Sequence, residues 1–174
     1  HTERMIEYFG GKIFYGDKKT PRVIKLKKSE LQSKNSFEVP GDFSSAAFII
    51  VATIISKDSE ILIKNVGLNE SRKGLIQVLV SMGANLEIKN SRKVSNENVG
   101  DIYVRSSELK GINVSDDVIP NIIDEIPILS IAACFAEGNT VIKNAAELRV
   151  KESDRLLAIS EGLTKLKIEH KIYN

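Results

Sequence analysis

The sequence predicts an α/β fold in which helices and strands form separate layers and one structural unit is used more than once. Three observations lead there. First, ILIKNVGLNESRKGLIQVLVSMGANLEI (61–88) can be laid over TVIKNAAELRVKESDRLLAISEGLTKLKIEHKI (140–172), which brings Lys64-Asn65 onto Lys143-Asn144. The displacement is too long for a solenoid repeat. Second, each copy is preceded by an acidic start and an apolar helical run: Gly41-Asp42-Phe43-Ser44-Ser45 before AAFIIVATII, and Asp124-Glu125-Ile126-Pro127 before ILSIAACFAEG. Third, 42% hydrophobic and 28% charged residues over 174 positions suit a soluble globular chain with a real core. That length allows one domain, or one domain and part of another, at roughly 150 residues each.

Taken in order, MIEYFGGKIFY (5–15) is a partial copy of LVSMGANLEIK (79–89): a helix end, a small-residue turn and a strand. Residues 36–40 form a short extended segment where a domain boundary fits, an ordinary loop within one domain being the alternative. Ser44 or Ser45 can cap a helix that runs to about Ile55, after which Lys57-Asp58-Ser59 turns the chain into the β-rich Ile61-Leu62-Ile63. Leu75, Ile76, Leu79 and Met82 recur at helical spacing and predict a second helix over 72–82 that stops at Gly83. Alternation predicts strands over 86–89 and 102–105, with the polar stretch 90–100 as an exposed hairpin loop. In the second unit Pro127 suits a first helical turn, Gly138 a stop and Val141-Ile142 the next strand.

Several functions are disfavoured at this level. Lys+Arg (25) and Asp+Glu (23) are interspersed and leave a net charge of +2, so no global basic field recruits nucleic acid. The lone Cys134 cannot form an internal disulfide, and His1 and His170 stand apart at the two ends, so no metal constellation is expected. The longest apolar run, 46–55, is half the roughly 20 residues a membrane span needs. HTERMIEYFGG lacks a signal-peptide pattern, and a cytoplasmic, reducing location is expected. The chain opens on His1 beside a helix-like run and is expected to be a piece of a longer one. Gly10-Gly11 has no phosphate-loop context. Tyr8, Phe9, Phe14 and Tyr15 are read as packing residues, and Cys134 as a small buried hydrophobe.

The densest polar constellation is Glu147-Leu148-Arg149-Val150-Lys151-Glu152-Ser153-Asp154-Arg155. With Ser153 as N-cap, Lys151 and Glu152 sit on the loop before a helix and Arg155 lies in its first turn. Two cations, a carboxylate and the free N–H groups of a helix start suit an anionic phosphate or carboxylate whose neighbour must exchange a proton. A solvated charged face with i, i+4 pairs is the competing reading. Asp124 either caps the apolar helix that follows it or serves as a base at the mouth of the sheet; the two roles are compatible. Arg72 and Lys73 begin the equivalent helix of the first unit, where no carboxylate fills the slot of Glu152, and are read as surface charges.

VPGDFSSAAFIIVATII, ILIKNVGLNESRKGLIQVLVSMGANLEI and IIDEIPILSIAACFAEGNTVIKNAAELRVKESDRLLAI together resemble the 5-enolpyruvylshikimate-3-phosphate synthases among the enolpyruvyl transferases. The similarity runs from His1 to about Leu163, and LRVKESDR is its most specific segment. GDFSSAAF and IIDEIP look closer to the bacterial glyphosate-tolerant class than to the plant-like one. The resemblance implies an inside-out barrel fold in which each of two domains holds three βαβαββ units, with substrates bound between the domains. Here the fold is incomplete: 1–38 is expected to be the tail of the first domain and 39–174 the larger part of the second, with units 41–118 and 119–174.

The activity so implied is transfer of the enolpyruvyl group of phosphoenolpyruvate to the 5-hydroxyl of shikimate 3-phosphate, with release of phosphate. Asp124 matches the carboxylate that contacts the shikimate hydroxyls and accepts the proton. Lys151 matches a lysine near both substrates, Glu152 the acid that protonates the vinyl methylene, and Arg155 an arginine that binds phosphoenolpyruvate. Glu147 falls where some members carry a shikimate-contacting Asn, and Lys167 replaces a glycine typical of its turn. The first-domain Lys-Ser, Arg and Ser-x-Gln ligands, and later Arg and Lys residues, lie outside these residues. The isolated piece is therefore expected to be inactive and the complete enzyme a monomer, with no cofactor or metal in the scheme. Two alternatives are a non-catalytic truncated module of the same fold and the related UDP-N-acetylglucosamine enolpyruvyl transferase.

Overall fold

The computed structural model describes residues 1–17, 23–33 and 36–173. A short helix α1 (Thr2–Tyr8) leads to an antiparallel ribbon of β1 (Lys12–Tyr15) and β2 (Ile24–Lys27). The first full unit follows as α2 (Phe43–Ile55), β3 (Glu60–Gly67), α3 (Gly74–Ser81), β4 (Asn85–Val94) and β5 (Glu97–Arg105). The short β6 (Leu109–Lys110) follows, and the second unit is sparser: α4 (Ile126–Cys134), β7 (Ala136–Glu137) and α5 (Arg155–Lys165), with 3₁₀ turns at Ile119–Asn121 and Ala146–Val150.

Strand β5 is central in an antiparallel β3-β5-β4 sheet, and β6 pairs in parallel with β7. Alternation along β5 decides which face is covered. Ile102 and Val104 are wholly buried in a common core with Ile50 and Ile54 of α2 and Leu75 and Leu79 of α3. On the opposite face, Lys89 lies over the Tyr103 ring at 4.0 Å. The second unit joins the same core through Ile122, Leu129 and Leu148, none of them exposed.

The repeat is visible in the backbone. Asn65 and Asn144, the residues that the sequence superposes, both adopt left-handed φ, 58° and 56°. The helix ends are equivalent as well: Gly83 (φ 101°) and Lys167 (φ 58°) follow α3 and α5, and Gly10 (φ 87°) follows α1. In each case two successive N–H groups close back on the last helical turn, as in Gly83 N–H to Val80 and Ala84 N–H to Leu79.

Several boundaries differ from expectation. Residues 90–100 are not a loop: β4 and β5 extend through them to a two-residue turn at Ser95-Asn96, where both φ values are positive (47° and 66°). Polar composition hid these strands because the distal half of β4 is exposed on both faces. Both edge strands bulge opposite Gly100-Asp101, and the Asp101 carboxylate accepts from the Asn65 N–H (3.0 Å) and Asn90 Nδ2 (2.8 Å). Helix α2 is capped by Asp42, which accepts from the Ser45 N–H at 2.7 Å, rather than by Ser44 or Ser45. Helix α3 spans less than 72–82, and α4 stops at Cys134 because the chain joins β7 before reaching Gly138 (φ 88°). Val141 forms only an isolated bridge to Asn113 instead of a strand.

The leading segment docks on the hairpin tip through the buried Glu97, which meets His1 Nδ1 at 2.8 Å and Arg4 Nη1 at 2.7 Å. Tyr8, Phe9 and Phe37 form an aromatic cluster with ring centroids 5.4–5.6 Å apart. Phe14 and Tyr15 do not share its packing and are more than half exposed, because the β1-β2 ribbon is open on both faces among the described residues. Cys134 is half-buried, donates to the Ser130 carbonyl at 3.1 Å, and has its thiol pKa raised by burial.

Candidate active site

The site forms where the starts of α2, α3, α4 and α5 meet. Gly74, the first residue of α3, lies so close to the turn ahead of α4 that a Cβ there would fall 2.7 Å from Ile122 Cγ2 and 3.1 Å from the Asn121 carbonyl. That approach brings Arg72 beside Asp124. On the other side, the wholly buried Leu148 anchors the 3₁₀ turn before α5, and Lys151 leaves it in an extended conformation. Asp154, not Ser153, caps α5 by accepting from the Leu157 N–H at 2.9 Å, which leaves Arg155 as the first helical residue.

Asp124 is the hub. Its Oδ2 accepts from Arg72 Nη1 at 2.8 Å; its Oδ1 accepts from Arg155 Nη1 at 3.1 Å and lies 3.8 Å from Lys151 Nζ. The capping reading of Asp124 is overturned: the N-cap position of α4 belongs to Glu125, and neither the Glu125 nor the Asp124 side chain caps the helix. The three cations, foremost the hydrogen-bonded Arg72 guanidinium, hold the Asp124 carboxyl below its ordinary pKa. It is an ionised acceptor across the neutral range.

Glu152 projects into solvent, 81% exposed, and accepts from Arg155 Nη2 at 2.7 Å. Its own backbone amide and then the guanidinium hold its pKa down. Lys151 is paired with Glu147 at 2.9 Å, which raises the Lys151 pKa and gives Glu147 a definite partner. Arg155 thus grips one carboxylate with each terminal nitrogen. A substrate anion would compete for the same fork.

Arg72, read from sequence as a surface charge, is built into the site. Its Nη2 donates to Ser44 Oγ at 2.7 Å and lies 3.7 Å from Glu125 Oε1, while Ser44 Oγ donates to that same Glu125 oxygen at 2.5 Å. Burial pushes the Glu125 pKa up. The overlooked signal was the echo of Glu152-Ser153-Asp154-Arg155 in Glu70-Ser71-Arg72, which four extra residues between Asn144 and Arg155, Asp154 among them, obscure. Lys73 stays at the surface, paired with Glu70 at 2.7 Å. Among the described residues no group of three His, Cys, Asp or Glu could hold a metal ion, and no helix is long and apolar enough to cross a membrane.

The family model for EPSP synthase (3-phosphoshikimate 1-carboxyvinyltransferase) matches residues 1–173. The chain belongs to the EPSP synthase family. It is 52% identical over 169 residues to the 3-phosphoshikimate 1-carboxyvinyltransferase of Petrotoga mobilis, covering 97% of this chain and 38% of that protein. It is 48% identical over 166 residues to that of Oceanobacillus iheyensis, covering 95% of this chain and 38% of the relative. Its fold superposes on the EPSP synthase of Acinetobacter baumannii with a TM-score of 0.86 at 41% identity, over 94% of this chain and 36% of that one. The chain therefore spans a little over a third of the length of the EPSP synthases it matches.

Proposed function

We propose that these residues form one wall of the active site of an EPSP synthase, which transfers the enolpyruvyl group of phosphoenolpyruvate to the 5-hydroxyl of shikimate 3-phosphate and releases phosphate. Residues 1–38 are then the end of the first domain and 39–174 the larger part of the second, the rest of the site coming from segments outside them. The observation that carries this is the convergence of Lys151 and Arg155 on Asp124, with Glu152 on the far nitrogen of the same guanidinium. Family membership supports it as well. Both substrates are small polyanions, and a cytoplasmic enzyme is the corresponding location.

In this scheme the 5-hydroxyl oxygen attacks C2 of phosphoenolpyruvate while its proton passes to Asp124. Glu152 delivers a proton to C3, closing a tetrahedral ketal. Loss of phosphate and of a C3 proton then restores the vinyl group. Asp124 is in the ionised form an acceptor needs; the same cations lower its basicity, so the acceptor role rests on its position beside Lys151 and Arg155. Glu152 does not suit a donor role while Arg155 holds it. An arriving phosphoenolpyruvate anion that takes over the Arg155 fork removes one of the groups that stabilise the ionised Glu152, its backbone amide being another, and the Glu152 pKa rises as the proton is needed.

The test is Glu152→Gln in a full-length synthase containing these residues. It keeps size and removes titration, so kcat should fall by roughly 100-fold or more with substrate affinity within a few fold, and solvent deuterium should enter the C3 methylene correspondingly more slowly. Wild-type turnover and exchange in this variant would rule Glu152 out as donor.

A further inference from the structure

We propose that Arg72 is a positioning residue for the proposed proton acceptor: it clamps the Oδ2 edge of Asp124 so that the Oδ1 edge alone faces Lys151, Arg155 and the substrate. This inference rests on the acceptor role given to Asp124 above. Three features carry it.

First, the two oxygens of Asp124 are divided between the units. Oδ2 is taken from the first unit by Arg72 at 2.8 Å, whereas both contacts to Oδ1 come from the second-unit segment that also bears Glu152. A carboxylate held on one side only could rotate about its terminal torsion, which is broad and two-fold, and exchange its oxygens. Gripped at Oδ2, it presents one oxygen in one place.

Second, Arg72 is itself fixed. Its other terminal nitrogen donates to Ser44 Oγ at 2.7 Å, and Ser44 spends its own proton on Glu125 Oε1 at 2.5 Å. The Glu125 side chain is only 2% exposed, so this end of the chain of hydrogen bonds is anchored in the core. Asp124 and Glu125 therefore flank one guanidinium, one toward the cleft and one toward the interior. Both arginines have their terminal nitrogens paired, but the second partner of Arg72 is backed by the buried Glu125, whereas that of Arg155 is the solvent-exposed Glu152, so Arg72 lacks the exchangeable fork of an anion-binding arginine.

Third, the planar fork is the element that works. An ammonium is a point donor and cannot span Asp124 Oδ2 and Ser44 Oγ in fixed directions. The charged groups around Asp124 are Arg72 from the first unit, Glu125 beside it, and Lys151 and Arg155 from the α5 side, these last two carrying Glu147 and Glu152. Arg72 is foremost in keeping Asp124 ionised. Losing it raises the Asp124 pKa, so the acceptor form disappears at a higher pH.

The experiment compares Arg72→Gln, Arg72→Lys, Ser44→Ala and Asp124→Asn in a full-length synthase, reading kcat, both KM values, the pH profile of kcat/KM and thermal melting. Arg72→Gln should lower kcat by about tenfold or more with each KM within a few fold, and should move the acid limb of the profile to higher pH. Arg72→Lys should restore the acid limb, because the charge returns, but not kcat, because the fork does not. If Arg72→Gln fails to give a cooperative melt, Ser44→Ala carries the test and should lower kcat without raising KM. Wild-type kcat and acid limb in Arg72→Gln, or wild-type kcat in Ser44→Ala, alongside an inactive Asp124→Asn, would overturn the role of Arg72 alone. Full activity in Asp124→Asn would overturn the acceptor reading and this inference with it.

Discussion

The starts of α3 and α5 are two versions of one repeated turn, and they hold their arginines differently. Arg72 enters from Glu70-Ser71 with no side-chain cap at its helix, and its terminal nitrogens are spent on Asp124 and Ser44. Arg155 enters from Glu152-Ser153-Asp154, where the added Asp154 caps the helix, and it is shared between Asp124 and the exposed Glu152. The same residue type thus serves as an internal brace in one unit and as an exchangeable grip in the other. The difference lies in what stands behind each guanidinium: the buried Glu125, through Ser44, behind Arg72, and solvent behind Arg155 through Glu152. A repeat supplies the scaffold twice, and specialisation follows from the depth at which each copy is backed.

Breaking the grip should cost most in binding. Arg155→Ala in a full-length synthase should raise the KM for phosphoenolpyruvate by about tenfold or more, with a smaller change in kcat, which is the reverse of the pattern given above for Arg72→Gln. Its pairs, one partly solvated with Asp124 and one with the exposed Glu152, contribute little to folding, so the melting temperature should move by only a few degrees. Equal KM and kcat patterns for the two arginine variants would erase the distinction between brace and grip.

A smaller effect is expected where the two units share a helix end. Gly83 and Lys167 occupy the same left-handed position, φ 101° and 58°, but only glycine takes it without steric cost. Lys167→Gly should therefore stabilise the chain by about 0.5–1 kcal/mol in a denaturant melt, the relief of the backbone outweighing the added freedom of the unfolded chain. A destabilised Lys167→Gly variant would show that the second unit holds this turn by contacts of the lysine side chain.

Much of this was legible from sequence for a physical reason. Apolar periodicity located α2, α3 and the α4 run because those helices bury a face, and the Lys-Asn repeat marked positions whose backbone is left-handed in both units. Lys151, Glu152 and Arg155 were found because their charges are contiguous in the chain. Arg72 and Ser44 were not, since their partners Asp124 and Glu125 are distant in sequence and only the packing of Gly74 against Ile122 brings them together. The strands through 90–100 were missed because β-ladder hydrogen bonds leave no trace in the composition of the solvated distal half of β4. Both helix N-caps were placed on a serine, whereas the neighbouring aspartates, Asp42 and Asp154, make the capping contacts.

The assignment of Asp124 as the proton acceptor is tested most directly by kcat of the Asp124→Asn variant, with its melting curve measured alongside. Because Asp124 caps no helix and its ion pairs are partly solvated, the exchange should shift the melting temperature by only a few degrees. Asn cannot take up the hydroxyl proton, so kcat should fall by roughly 100-fold or more. A folded Asp124→Asn enzyme that turns over at the wild-type rate would contradict the account.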